Sequence, residues 1–278
     1  MKYSNEHLVV LDADGTTINA FEAIDKTFAQ HRMQLGDIAR YQKRHNIFKY
    51  LGGLKEFPGN LRKQVNNKQR KALIETLTEV YRGEVELYVC IAGMIQKLIE
   101  APSVRVGLVS RNITLEPLVT LKQVFRRNGV DPDELDFFVH LPFKENKVVT
   151  FRDIRDRFGI NPARTWACGD ERRDFSAAIG CGMHPFMVSY GFESFERLEN
   201  RIGVPRELIS VSPEQLCYRL LHALDMDGSS SLESTIIARN GLVDAEACHA
   251  LPRVTPQNRT HQGPSRPTRT DVTSVKLR

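Results

Sequence analysis

The sequence predicts an α/β fold: a three-layer α/β/α, Rossmann-like parallel sheet with a small helical subdomain inserted after the first strand. Three observations carry this. Leu8-Val9-Val10-Leu11 is apolar without alternation, as a strand buried on both faces must be. From residue 91 onward, short apolar runs alternate with segments of helical period, the pattern of a parallel sheet covered on both sides. Between these regions, residues 18–85 hold helical periodicity and turn signals but no clear strand.

The first strand leads into Asp12-Ala13-Asp14-Gly15-Thr16, where a glycine lets the chain turn. Residues 20–34 place Phe21, Ile24, Phe28 and Met33 near helical spacing, and residues 71–82 do the same with Leu73, Leu77, Val80 and Tyr81. Gly52-Gly53 and Pro58-Gly59 mark turns between them. Ile91–Glu100 suits a helix, and Val104–Val109 a strand ending at Ser110. Thr114–Arg127 suits a helix and Asp136–Val139 a strand. Val148–Phe158 keeps Val148, Phe151, Ile154 and Phe158 on one helical face, with Gly159 past its end. Thr165–Cys168 reads as a strand running into Gly169-Asp170, and Phe175–Ile179 begins a helix. Pro185–Val188 and Leu208–Val211 are short strands, and Pro213–Leu224 is the last helix. Residues 1–17 and 86–224 then make the core and 18–85 the insert. Residues 225–278 are expected to be a disordered tail, because they carry a Gly228-Ser229-Ser230-Ser231 linker and no aromatic residue from Pro252 onward.

Composition narrows the class. A chain of 278 residues, 41% hydrophobic, can bury a sizeable core. No apolar run approaches the ~20 residues that cross a bilayer, and the polar stretch Met1–His7 lacks a secretory plan. Five cysteines, odd in number and without a CxxC, argue against a disulfide framework or zinc ribbon and for a reducing, cytoplasmic setting. The net charge of +5 is compatible with an anionic substrate or weak nucleic-acid contact. Much of the excess lies in the insert: residues 18–84 hold 13 Lys/Arg against 7 Asp/Glu, densest at Arg40, Lys43, Arg44 and Lys49. That pattern fits a solvated helical surface, or a basic lid over a polyanionic substrate.

Four polar clusters fall at strand ends or at a helix start. They are Asp12 with Asp14, then Ser110-Arg111-Asn112, then Lys147, then Gly169-Asp170 through Asp174. In an open parallel sheet such positions converge on one edge. Their order and context resemble the haloacid dehalogenase-like superfamily of phosphatases and phosphotransferases, over roughly residues 6–224. The superfamily's DxDGT motif is present in full, its strand-terminal Ser/Thr matches Ser110, its basic residue matches Lys147, and its GDxxxD matches Asp170 and Asp174. The resemblance implies that the insert is a helical cap. It also implies phosphate-ester chemistry, because dehalogenating members lack an acidic residue at the position of Asp14 and phosphonate-cleaving members usually carry alanine there.

A phosphate ester and an attacking carboxylate are both anionic, and a Mg²⁺ ion bridging them removes the repulsion. Asp12 is the candidate nucleophile, forming an aspartyl-phosphate, and Asp14 the candidate acid/base. Ser110 and Lys147 would hold phosphoryl oxygens. Asp12 and Asp170 would ligate the metal, with Asp174 a direct or water-mediated ligand, and the resemblance adds the backbone carbonyl of Asp14. Gly15, Thr16 and Arg111 complete the expected substrate-binding set, although Arg111 reads equally as a solvated charge. Lys144 competes with Lys147, which is favoured because Asn146 can cap the helix that Lys147 opens. Glu171, Arg172 and Arg173 read as surface charges or packing, His7 and His184 as structural, and Trp166 as core. The expected function is a Mg²⁺-dependent phosphatase acting on a small phosphorylated metabolite. The alternatives are a phosphomutase or phosphotransferase on the same fold, and a non-catalytic protein using the basic cap and tail on nucleic acid or a protein partner.

Overall fold

The computed structural model describes residues 3–33, 67–142 and 145–226. Among these residues six strands form one parallel sheet: β1 (His7–Leu11), β2 (Val104–Ser110), β3 (Phe137–His140), β4 (Thr165–Gly169), β5 (His184–Val188) and β6 (Ile209–Ser210), in the order β3-β2-β1-β4-β5-β6. β1 is central, with Val9 opposite Val106 on one side and Trp166 on the other. Leu8 and Val10 enter one core and Val9 and Leu11 the other, and all four are 0% exposed. Each such burial contributes roughly 1.5–3 kcal/mol, which is why this segment reads as uninterrupted apolar sequence.

The longer helices among the described residues are α1 (Ala20–Gln30), α2 (Asn67–Gly83), α3 (Ile91–Glu100), α4 (Pro117–Arg127), α5 (Lys147–Phe158), α6 (Arg172–Gly180) and α7 (Pro213–Ala223). Ile91, Ile95, Leu121, Phe125, Leu216 and Leu220 of α3, α4 and α7 share one core with Val9 and Leu11. Phe151 and Ile154 of α5 and Ala177 and Ala178 of α6 close the opposite face. α1 packs on α2 and α2 on α4, so Phe21, Ile24, Leu73, Leu77 and Tyr81 extend the first of these cores. The described ends of the insert are therefore sewn into the sheet's own core. Its densest basic cluster (Arg40, Lys43, Arg44, Lys49), Lys144, and the tail beyond Met226 lie outside the described residues.

Three helix starts differ from the sequence reading: α2 begins at Asn67 rather than residue 71, and two others differ for a local reason. α6 begins at Arg172, not Phe175, because the Glu171 N–H donates to Asp174 Oδ2 at 3.0 Å and closes a first turn made of charged residues. α4 begins at Pro117, not Thr114. The Thr114 N–H donates to Asn112 Oδ1 at 2.8 Å, so residues 112–114 form a side-chain-bonded turn, and proline takes the first helical position. Trp166 is core at 8% exposure, stacked on His7 at 5.1 Å, and His184 Nε2 lies 3.1 Å from the Ala163 carbonyl. No helix among the described residues is long and apolar enough to cross a membrane.

Candidate active site

Because every strand runs the same way, the carboxyl ends of β1, β2 and β4 open on one edge, and the polar clusters of the sequence meet there. Asp12 follows β1, Ser110 ends β2, Asp170 follows β4, Lys147 opens α5 and Asp174 lies in the first turn of α6. Asn146 caps α5, its side chain accepting from the Val148 N–H at 3.0 Å, and so fixes where Lys147 starts.

Lys147 is the hub. Its Nζ donates to Asp12 Oδ1 at 2.7 Å and to Asp174 Oδ1, and the lysine is 3% exposed. Burial alone would lower its pKa, but the carboxylates of Asp12 and Asp174 outweigh that and hold it above the usual lysine range. Asp174 is used twice, since its other oxygen accepts the N–H of Glu171. Glu171 thus belongs to the start of α6, while Arg172 and Arg173 are exposed.

Asp170 is fully buried. Its Oδ2 accepts the Phe192 N–H at 2.6 Å, and its Oδ1 lies 3.4 Å from the Thr16 hydroxyl. Two glycines make room for it. Gly15 sits at φ +80°, and a Cβ there would meet Asp170 Oδ2 at 2.4 Å. A Cβ on Gly191 would meet the same oxygen at 2.4 Å. Gly15 and Thr16 are therefore buried against Asp170 and join the loop after β1 to the loop after β4.

Asp14 faces away from this group. Its Oδ1 accepts from Tyr81 Oη at 2.7 Å, and its Oδ2 from Asn112 Nδ2 at 2.9 Å. Burial raises its pKa, opposed by those two hydrogen bonds. Ser110 is 1% exposed, and its Oγ has no hydrogen-bond partner among the described residues. Arg111 Nη2 donates to the Glu145 carbonyl, which turns the guanidinium toward the loop before α5.

Oxygens of Asp12, Asp170 and Asp174 all lie within 4.8 Å of one another. These are hard donors of the kind Mg²⁺ takes. They also carry more negative charge than Lys147 alone balances. Burial pushes the Asp12 and Asp170 carboxyls up, and the neighbouring carboxylates, including Asp174, push them further. A divalent cation fits this set. The carboxylate of Asp14 lies outside it.

The sequence gives neither Tyr81 nor Asn112 a role at the site. Tyr81 falls on the apolar face of α2, where its spacing marks it as core. The available signal was its hydroxyl, because a buried tyrosine needs a partner. Asn112 lies two residues past Ser110, within the second polar cluster.

No protein-family model matches the chain, and no curated protein does. Solved structures do match. A predicted phosphatase from Clostridium acetobutylicum shares 18% identity at a TM-score of 0.52, over 79% of this chain and 100% of that one. A haloacid dehalogenase-like family hydrolase, SP0104 from Streptococcus pneumoniae, matches at 14% identity and a TM-score of 0.53, over 79% and 99%. CbbY from Rhodobacter sphaeroides, solved with phosphate, matches at 20% identity and 0.51, over 75% and 95%. With its parallel six-stranded sheet and this set of neighbours, the chain has the haloacid dehalogenase-like fold.

Proposed function

We propose that this chain is a Mg²⁺-dependent phosphatase that hydrolyses a phosphate monoester of a small metabolite through an aspartyl-phosphate on Asp12. The observation that carries this reading is the buried Lys147 ammonium, 2.7 Å from Asp12 Oδ1, at a strand edge that also bears the unpartnered Ser110 hydroxyl. A carboxylate and a phosphoryl group repel each other, and a fixed cation offsets that repulsion most where water is scarce.

In this reading Ser110 and Lys147 hold phosphoryl oxygens, Gly15 and Thr16 shape the floor of the site, and Arg111 stands at its rim. Asp12 attacks phosphorus as the bond to the leaving oxygen breaks, and Asp14 gives that oxygen its proton. Asp14 then takes a proton from the water that attacks phosphorus, which frees phosphate and restores Asp12. The raised pKa of Asp14 suits a group that must arrive protonated. Asp12, Asp170 and Asp174, with the backbone carbonyl of Asp14, would hold the metal, which when bound supplies positive charge at the transferring phosphoryl group.

The CbbY structures support the substrate class, since one holds phosphate and a variant holds xylulose-(1,5)-bisphosphate. Residues 18–85 act as a cap, and residues 225–278, of which Met226 packs against the core, take no part in catalysis. A cytoplasmic location belongs to the same reading, since a reducing compartment suits cysteines held as thiols.

Phosphate release from a panel of phosphorylated metabolites, with Mg²⁺ and with a chelator, tests this. Metal-dependent release from at least one monoester, lost in Asp12→Asn, is expected. A folded wild-type protein that releases phosphate from none of them overturns the reading.

A further inference from the structure

Cys90 and Cys217 lie 127 residues apart in the chain, yet their sulfurs are 2.9 Å apart. That is closer than two unbonded sulfurs normally pack and a short step from the ~2.05 Å of a bond. The two positions differ in character. Cys90 is half-buried, sits immediately ahead of α3, and follows Val89, which is 72% exposed. Cys217 is buried in α7. Cys90 is the more accessible of the two sulfurs and so meets a peroxide first. A buried neighbour held against it is well placed as the resolving partner. The other described cysteines lack this arrangement: Cys168 is buried in β4, and the Cys181 thiol donates to the Val148 carbonyl at 3.1 Å.

We propose that Cys90 and Cys217 form an oxidation site for peroxides, closing reversibly to a disulfide that ties the start of α3 to α7. The Cys90 thiolate attacks one peroxide oxygen and the O–O bond breaks. The departing hydroxide takes up a proton, leaving a sulfenic acid on Cys90. The Cys217 sulfur then attacks Cys90 Sγ and displaces hydroxide, which leaves as water with the Cys217 proton. Two thiols and one hydrogen peroxide thus become one disulfide and two waters, and a dithiol reductant reverses the change.

The bond would act where the insert rejoins the core. Tyr88, two residues before Cys90, donates its N–H to the Thr17 carbonyl at 3.0 Å and packs edge-on against Tyr190 at 4.9 Å. Tyr190 Oη in turn donates to the Thr16 carbonyl at 2.9 Å. A disulfide at residue 90 therefore fixes a segment bonded directly to the loop after Asp14.

The test uses the full chain, reduced, freed of reductant and treated with stoichiometric hydrogen peroxide, and then digested without reduction for mass spectrometry. A peptide pair joining Cys90 to Cys217, lighter by two hydrogens and separated by dithiothreitol, is expected. So is slower amide exchange over residues 84–91, absent in peroxide-treated Cys90→Ser. A sulfinic acid on Cys90 without the link, or Cys90 joined to Cys248 or to a second chain, overturns the proposal. Unchanged exchange over residues 84–91 in the linked protein overturns its effect on that segment. The link is mapped on the unmutated chain, so it does not depend on how Cys90→Ser folds, and no readout depends on catalysis.

Discussion

Tyr81 Oη donates to Asp14 Oδ1 at 2.7 Å, joining a helix of the insert to the second carboxylate of the loop after β1, and both side chains are buried. Asn112 Nδ2, from the loop after β2, completes the clamp at 2.9 Å. The orientation of the proposed acid/base is thus set by two elements other than its own. One of them, α2, belongs to the segment read as the cap.

Tyr81→Phe keeps the ring and its packing and removes one hydrogen bond to a carboxylate. Such a bond contributes roughly 1.5–3 kcal/mol, or roughly 10- to 100-fold in rate. The loss of kcat should fall mainly on alkyl phosphates, whose leaving oxygen needs a proton, and less on p-nitrophenyl phosphate. Steady-state kinetics on both substrates checks this. An equal loss on the two would show that Tyr81 serves packing and not the orientation of Asp14.

Lys147→Ala removes the ammonium from between Asp12 and Asp174. Breaking a buried pair from one side costs about 3–5 kcal/mol, so melting should move down by several degrees. Added Mg²⁺ should recover part of that loss, since a cation that binds the folded state alone stabilises it. Phosphate release should fall by roughly a hundredfold or more. Lys144→Ala should change melting and turnover far less. Differential scanning calorimetry and a phosphate assay on both variants decide between them, and the reverse ranking would move the phosphate-site lysine three residues upstream.

His7 gives a pH-dependent term in stability. Burial, with the Arg164 guanidinium beside it, lowers its pKa to about 4, and the Arg164 Nη2 contact to Nε2 requires an unprotonated ring nitrogen. The folded state therefore resists a proton that the unfolded state accepts near pH 6.5. Stability is unaffected above pH 6.5 and falls as pH drops from 6.5 toward about 4. Discounted for solvent access, the effect is about 1 kcal/mol at pH 5. His7→Phe keeps a ring against Trp166 and should narrow the melting-temperature gap between pH 7 and pH 5. A gap that stays the same would assign the acid sensitivity elsewhere.

The parts of the site legible in the sequence are those whose chemistry and position coincide. The run Leu8–Leu11 had to be a central strand, and Asp12 and Asp14 follow it directly. Asp170 and Ser110 likewise mark strand ends, and Asn146 signals where Lys147 begins its helix. What was not legible depends on contacts between distant segments. Nothing near Tyr81 tells that its hydroxyl ends 2.7 Å from Asp14, because at helical spacing it reads as another apolar residue. Nothing near Cys90 points to Cys217. The start of α6 was hidden differently: Arg172-Arg173-Asp174 looks like loop until Asp174 is seen bonding back to the Glu171 N–H.

The aspartyl-phosphate on Asp12 is tested most directly in Asp14→Asn. With p-nitrophenyl phosphate the first step needs little acid, but the second still needs a base. Rapid mixing should therefore show a burst of about one equivalent of p-nitrophenol followed by a stall. Digestion of the stalled protein should recover the phosphoryl group on the peptide that contains Asp12. No burst, and no acyl-phosphate on that peptide by borohydride trapping or mass spectrometry, would contradict Asp12 as the nucleophile and Asp14 as the base that releases it.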